Sequence, residues 1–190
     1  AANTRQELER QSEFGRAVVA DRLTMLGDLG LVDESELGTA TGGRAPRLVR
    51  FAARRAAILV ATLDQTAIGV GVADLSGKLL TEHHEAADLT APPAELAERL
   101  TALFRWSMER HAPQGSIWGI SLSVPGAVQG AAEADFLTAT PPVLPAWEGF
   151  PLVETLTRDF GVPVWMRSSV ETMTMGELHA GAGIGTRSML

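Results

Sequence analysis

Thr4–Val32, TRQELERQSEFGRAVVADRLTMLGDLGLV, reads as two short helices joined by a tight turn. Thr4-Arg5-Gln6-Glu7 is a capping box, in which a threonine hydroxyl and a glutamate carboxylate satisfy orphan amides at the start of a helix reciprocally. The spacing predicts a first helix that breaks between Ser12 and Gly15. A second, over about Arg16–Asp28, carries Val19, Leu23 and Leu26 on one face. Gly30 then reads as a left-handed cap that releases Leu31 and Val32 into a strand.

An acidic turn follows (Asp33, Glu34, Glu36), then Thr41–Arg47, TGGRAPR, and Leu48–Phe51, LVRF, which returns as a second strand. Helix, turn, helix and two-stranded hairpin is the plan of a winged helix-turn-helix. Such a module normally has another helix in front. Only Ala1-Ala2-Asn3 precedes Thr4, so that helix is expected to lie outside this chain.

The charge pattern sets this segment apart. The formal net charge is -7, yet residues 1–55 hold nine arginines against eight acids. Residues 56–190 hold seven basic residues against fifteen acids. Arg44, Arg47, Arg50, Arg54 and Arg55 follow one another with no acid between them. Such a cluster on an acidic protein marks either a nucleic-acid-facing end or a solvated linker into a new domain. At 190 residues the chain has room for one ordinary domain, or a small one joined to a medium one. Its hydrophobic share of 45% is that of a globular protein, and no apolar run approaches the ~18–20 residues of a membrane span. With no cysteine there is neither a disulfide nor a thiolate metal site, and a reducing cytoplasm is the expected compartment.

From Ala56 the pattern changes. AAILVATL (56–63) and TAIGVGVA (66–73) are short apolar runs suited to buried strands, and Asp74-Leu75-Ser76-Gly77 is a turn. Lys78–Glu85 reads as a third strand, Pro92–Arg110 as a helix and Ile117–Val124 as a strand. Residues 125–149 read as a long loop. Leu152–Phe160 is expected as a helix, Val162–Met166 as a strand and Val170–Ala180 as a helix. This order is that of the first lobe of an actin-like, ribonuclease-H-like kinase fold with a mixed sheet. The expected organisation is α/β, with a DNA-binding winged helix-turn-helix at residues 1–52 and the kinase-like domain at 53–190.

The combination resembles the ROK family (repressor, open reading frame, kinase), which joins sugar kinases to sugar-responsive repressors. Thr4–Val32 looks like that family's helix-turn-helix and TGGRAPRLVRF (41–51) like its wing. VADLSG (72–77), LSVPGAV (122–128), LPAWEGFPL (144–152) and the frame around MGE (175–177) look like its kinase half. The resemblance implies the repressor branch, which carries the winged helix. It also implies a continuation past GAGIGTRSML into a second lobe with a zinc-binding segment and a closing helix.

The same resemblance tests for phosphoryl transfer. Counting back from Asp74, the family's phosphate-site aspartate falls on Thr62 and its phosphate-approach glycine on Asp64, whose carboxylate repels phosphate. Counting back from Gly176-Glu177, the catalytic Asn-Asp pair falls on Ser168-Ser169 and a following Asn on Glu171. Serine has no pKa suited to base work near neutrality. A sugar-binding Asn falls on Val143. The expectation is no enzyme and no cofactor, with Ser168, Ser169 and Glu171 as a partial polar set for a sugar or sugar-phosphate effector. The alternative is a ROK carbohydrate kinase using ATP, and a third reading is an empty scaffold for oligomerisation.

The expected contacts to a double-stranded DNA operator are Thr4, Arg16, Ala17, Val18 and Arg22, with Ala20 beside them, and Gly43, Arg44 and Arg47 in the wing. Arg44 suits a narrow A·T-rich minor groove, Arg47 a phosphate, and the second helix the major groove. Asp21 adds an acid near the phosphates. A homodimer or higher homo-oligomer is expected, because one such module makes few contacts.

Other signals are discounted. His83, His84, His111 and His179 lack metal-ligand spacing, so no metal is expected. GISLSVPG (119–126) reads G-x-S-x-S rather than a nucleophile elbow, and GAGIG (181–185) follows a helix rather than a strand. Trp106, Trp118, Trp147 and Trp165 are expected to anchor core or loops.

Overall fold

The computed structural model describes residues 2–39, 45–110, 116–126, 128–130, 136–137, 145–147 and 149–187. The chain divides into two compact units, Ala1–Arg55 and Ala56–Leu190. In the first, strand β1 (Asn3–Thr4) leads into helices α1 (Arg5–Ser12) and α2 (Arg16–Asp28), followed by β2 (Val32–Asp33) and β3 (Leu48–Phe51). The capping box forms: the Thr4 hydroxyl accepts from the Glu7 amide at 3.2 Å, and the Glu7 carboxylate accepts from the Thr4 amide at 2.7 Å. Glu13, in the left-handed region at φ 59°, ends α1. Gly30 (φ 70°) ends α2, and the Leu31 amide donates back to the Leu26 carbonyl at 2.8 Å. The Arg55 side chain lies where a Cβ on Gly30 would stand, so both conformation and space call for glycine there.

The three strands form one antiparallel sheet in the order β1-β3-β2. β1 was not expected, since two residues carry no alternation to read. The hairpin continues outward from β2 and β3 through the Leu37–Arg47 bridge and the Gly38 amide on the Pro46 carbonyl at 2.8 Å. Val19 and Leu23 of α2 close on Val49 of β3, with Leu8 and Val32 partly buried beside them. Leu26, expected on that inner face, is 38% exposed. A strand of four residues is too short to cover the whole apolar stripe of a helix of thirteen.

The second unit is built on a five-stranded mixed sheet in the order β10-β7-β4-β5-β6. Its strands are β4 (Ala56–Leu63), β5 (Ala67–Asp74), β6 (Leu79–Ala86), β7 (Ser116–Val124) and β10 (Val164–Ser168). β4 runs parallel to β7 and antiparallel to β5, and β7 runs parallel to β10. Helix α3 (Pro93–Arg110) makes the crossover from β6 to β7, and α4 (Leu152–Phe160) the one from β7 to β10. Alternation on β4 turns Ala57, Leu59, Ala61 and Leu63 into the core. There they meet Leu96, Leu100, Leu103 and Phe104 of α3 and Leu152 and Leu156 of α4. Phe104 meets Phe160 edge-on at 5.7 Å between ring centroids.

Several boundaries differ from expectation by one or two residues. β10 begins at Val164 rather than Val162, because Gly161 (φ 66°) is the left-handed cap of α4 and Pro163 has no amide to pair. The segment read as a loop holds two short paired strands, β8 (Gln129–Gly130) and β9 (Phe136–Leu137), and a 3-10 turn at Pro145–Trp147. Trp147 is a core anchor whose indole donates to the Leu89 carbonyl at 3.0 Å. Trp106 lies against His83 and under Arg110. Trp118 and Trp165, expected as anchors, are exposed instead, and Trp165 lies on the sheet face opposite α3 and α4. Trp165 occupies the space over Gly119 that a Cβ would need. Helix α5 (Ser169–Ala180) lies near β7 and β10 and buries none of its residues.

The turn between β5 and β6 is organised by Asp74. One of its carboxylate oxygens accepts from the Ser76 amide (2.9 Å), the Ser76 hydroxyl (2.6 Å) and the Lys78 amide (3.1 Å). Burial acts to raise its pKa, but these hydrogen bonds outweigh burial and hold it below the ordinary carboxylate value. A depressed folded pKa makes its stabilisation complete above the unfolded value of about 3.9 and lost as pH falls through the folded one. Asp74→Ala should therefore lower the unfolding free energy by about 1–2 kcal/mol at pH 7. In urea titrations the gap between variant and parent should shrink as the pH is taken down to about 3.

Candidate functional site

In the first unit the surface of interest is the outer side of α2 together with the hairpin. Arg16, Ala17, Val18 and Arg22 are exposed, and Ala20 is half-buried. At 3.6 residues per turn these residues do not share one face. Arg16 and Ala20 turn towards α1, where they line a shallow cleft of about 510 Å³ with Arg5, Gln6, Glu9 and Val19. Val18 and Arg22 lie on the other flank, and the Arg22 guanidinium contacts the Met25 sulfur at 3.5 Å. Ala17 points away from the Val19–Leu23 core, and the residue one turn further on that outward stripe is Asp21.

Thr4 sits at the N-cap of α1 with its hydroxyl engaged by Glu7, so its visible role is structural. Arg47 is exposed on the hairpin arm. Gly43 and Arg44 lie outside the described residues.

Ion pairing sorts the arginines. Arg5 forms a bidentate pair with Glu34, at 2.8 Å to each oxygen through Nη2, and Arg50 pairs with Glu36 across the hairpin. Glu7 is held below its ordinary pKa chiefly by the hydrogen bond from the Thr4 amide, and Asp33 by that from the Ser35 hydroxyl. Among the described residues Arg10, Arg16, Arg22 and Arg47 make no ion pair, and neither do Glu9, Glu13, Asp21 and Asp28. The arginine run of the sequence is thus divided, with Arg50 spent within the hairpin and Arg47 left available.

In the second unit the carboxyl ends of the three parallel strands bring Thr62, Ser123 and Ser168 to one edge of the sheet. Thr62 is in register with Ser123, and Ser168 with Val124. This is the edge at which open α/β sheets take ligands. Asp64 closes a tight hairpin with Ala67, its amide donating to the Ala67 carbonyl at 2.8 Å, and its side chain is exposed. Ser168 is the N-cap of α5 and forms a second capping box with Glu171. Its hydroxyl accepts from the Glu171 amide at 3.2 Å, and the Glu171 carboxylate accepts from the Ser168 amide at 3.1 Å. The Ser123 hydroxyl lies 2.8 Å from that of Thr172, linking β7 to α5.

Of the three expected ligand residues, two are thus engaged with each other. Ser169 is half-buried and its hydroxyl makes no hydrogen bond among the described residues. Glu177 accepts from the Ala182 amide at 2.8 Å, tying down the end of α5. Val143 and His111 lie outside the described residues. The capping role of Ser168 and Glu171 was legible as an S-x-x-E signature before a helix, the same signal that placed Thr4 and Glu7.

Among the described residues no group of three His, Asp or Glu side chains is placed to hold a metal ion, and no helix is long and apolar enough to cross a membrane. The β5–β6 edge carries a further polar group: Arg99 of α3 grips Glu85 at 2.6 and 2.5 Å, and His83 stands 3.4 Å from the same carboxylate. That arrangement pins α3 to an edge strand.

A candidate xylose repressor of Caldicellulosiruptor sp. (strain Rt8B.4) is 25% identical over 92% of this chain and 43% of its own. The chain spans about half the length of the curated relatives it matches. The crystal structure of a ROK family transcriptional regulator, a homologue of the E. coli MLC protein, superposes over 95% of this chain and 45% of its own. Its TM-score is 0.70 at 17% identity. A ROK hexokinase from Thermus thermophilus superposes over 68% of this chain and 40% of its own, with a TM-score of 0.56 at 23% identity. The ROK family matches residues 52–190, nearly three quarters of the sequence, and the chain belongs to that family.

Proposed function

We propose that this chain is the DNA-binding and sensing part of a ROK transcriptional regulator, most simply a repressor. In this reading residues 4–50 are a winged helix-turn-helix, α2 is the recognition helix and the hairpin is the wing. The observation that carries the reading is one of coverage. The hexokinase likeness extends over a share of the chain close to that of Ala56–Leu190, whereas the regulator's 95% cannot be reached without most of the first unit. A sugar kinase has no use for a helix pair and hairpin with exposed, unpaired arginines, while a duplex does.

The second unit then senses or assembles rather than transfers phosphate. Thr62 and Asp64 stand where the resemblance implies an aspartate and a glycine at the phosphates, and Ser168 and Ser169 where it implies the catalytic Asn-Asp pair. The proton-accepting aspartate of that pair falls on Ser169, and a serine hydroxyl has no pKa suited to base work near neutrality. Ser169 is the group left to meet a sugar or sugar-phosphate effector at the strand ends. Two copies acting together would match the two half-sites of a typical operator.

Selecting bound duplexes from a random pool, with and without a sugar mixture, tests the regulatory reading. Binding should fall steeply with salt. Arg47→Ala should lower the slope of log affinity against log salt by about one while weakening all sequences alike. Arg44→Ala should weaken A·T-rich flanks most, and equal loss on every sequence would reduce Arg44 to a phosphate contact. No salt-dependent retention would favour a protein-interaction scaffold instead.

A coupled ATPase assay over a sugar panel tests the other half, and no turnover is expected. Activity that survives purification and disappears in Asp64→Ala would make the chain a carbohydrate kinase.

A further inference from the structure

We infer that Asp21 is a specificity-determining residue of the recognition helix, accepting a hydrogen bond from the N4 amino group of a cytosine in the major groove. The inference rests on the reading of residues 4–50 as a DNA-binding module.

Asp21 lies on the side of α2 directly away from the buried Val19 and Leu23, one turn beyond Ala17. Its side chain is exposed and makes no hydrogen bond or ion pair among the described residues, although Arg22 is its neighbour in sequence. Thr24, on the same side, donates its hydroxyl to the Ala20 carbonyl at 3.0 Å and so cannot donate to a base. Asp21 is therefore a strong, uncommitted group in the middle of the outer stripe, seven residues before the equally unpaired Asp28 at the helix end, and a carboxylate only accepts.

Its surroundings let a short side chain reach a base edge. Gly15 and Ala17 carry at most a methyl group, so the outer side of the first turn of α2 can approach a groove closely. One methylene is then enough to bring the Asp21 carboxylate to the floor. A carboxylate in that position cannot serve a phosphate, which repels it. Guanine and thymine present acceptors on the major-groove edge and repel it too, and adenine presents an amino group beside the N7 acceptor. Cytosine alone presents an amino donor with no acceptor of its own beside it. Arg16 and Arg22, on the two flanks, supply the positive charge that keeps the acid tolerable near the backbone.

The test is sequence selection from a random duplex pool with the 190-residue chain and its Asp21→Asn and Asp21→Ala variants. Asp21 supports no internal contact, so both variants should keep the parent's unfolding midpoint. The parent should select one position as cytosine, and replacing it by thymine should weaken binding about tenfold. Asp21→Asn should move the preference at that position to adenine, whose N6 and N7 a carboxamide can pair with together, while leaving the salt dependence unchanged.

Cytosine selection that persists in Asp21→Asn overturns the inference. So does Asp21→Ala binding every sequence more tightly than the parent, which would make the acid merely repulsive. Salt-dependent binding with no cytosine position sinks this inference alone, whereas absence of salt-dependent binding removes the DNA-binding reading with it.

Discussion

The larger unit depends on the double pairing of β4. This strand hydrogen-bonds to β7 on one side in parallel and to β5 on the other in antiparallel sense. Its alternate residues Ala57, Leu59, Ala61 and Leu63 hold α3 and α4 against one face. Two small and two large side chains let helices pack close without leaving voids, and burial of each leucine contributes roughly 1.5–3 kcal/mol. The three parallel strands β4, β7 and β10 end together at Thr62, Ser123 and Ser168, the side at which open α/β sheets take ligands.

The smaller unit has a different economy. Among the described residues its buried apolar core is Val19, Leu23 and Val49. Local polar devices supplement it: the Thr4–Glu7 capping box, the Gly30 cap, and the pairs Arg5–Glu34 and Arg50–Glu36 that tie α1 and β3 to the acidic strand end. Exposed pairs of this kind contribute little stability each. Their larger consequence is electrostatic, since they engage Glu34 and Glu36 while, among the described residues, Arg16, Arg22 and Arg47 keep no ion-pair partner.

The same device has opposite meanings at the two capping boxes. At Thr4 it begins a helix beside the proposed recognition surface. At Ser168 it occupies a position where the family resemblance implies catalytic chemistry. A hydroxyl and a carboxylate that satisfy orphan amides of α5 are stabilising there, while the next residue, Ser169, keeps a hydroxyl with no hydrogen bond among the described residues.

The linear sequence by itself determined the longer elements and their order. Capping signatures at Thr4 and Ser168, the glycine at position 30 and the apolar runs of β4 and β5 act over a few residues and need no partner to be read. It also determined family membership, because short motifs at fixed separations survive where overall identity is low. Only the tertiary structure decided which groups remain available. Leu26 escapes burial because β3 is too short to cover it, β1 exists only because β3 offers it an edge, and Arg50 is spent while Arg47 is not. Asp21 faces outward because Val19 and Leu23 find Val49. Availability is set by residues distant along the chain meeting in space, and no local pattern encodes that.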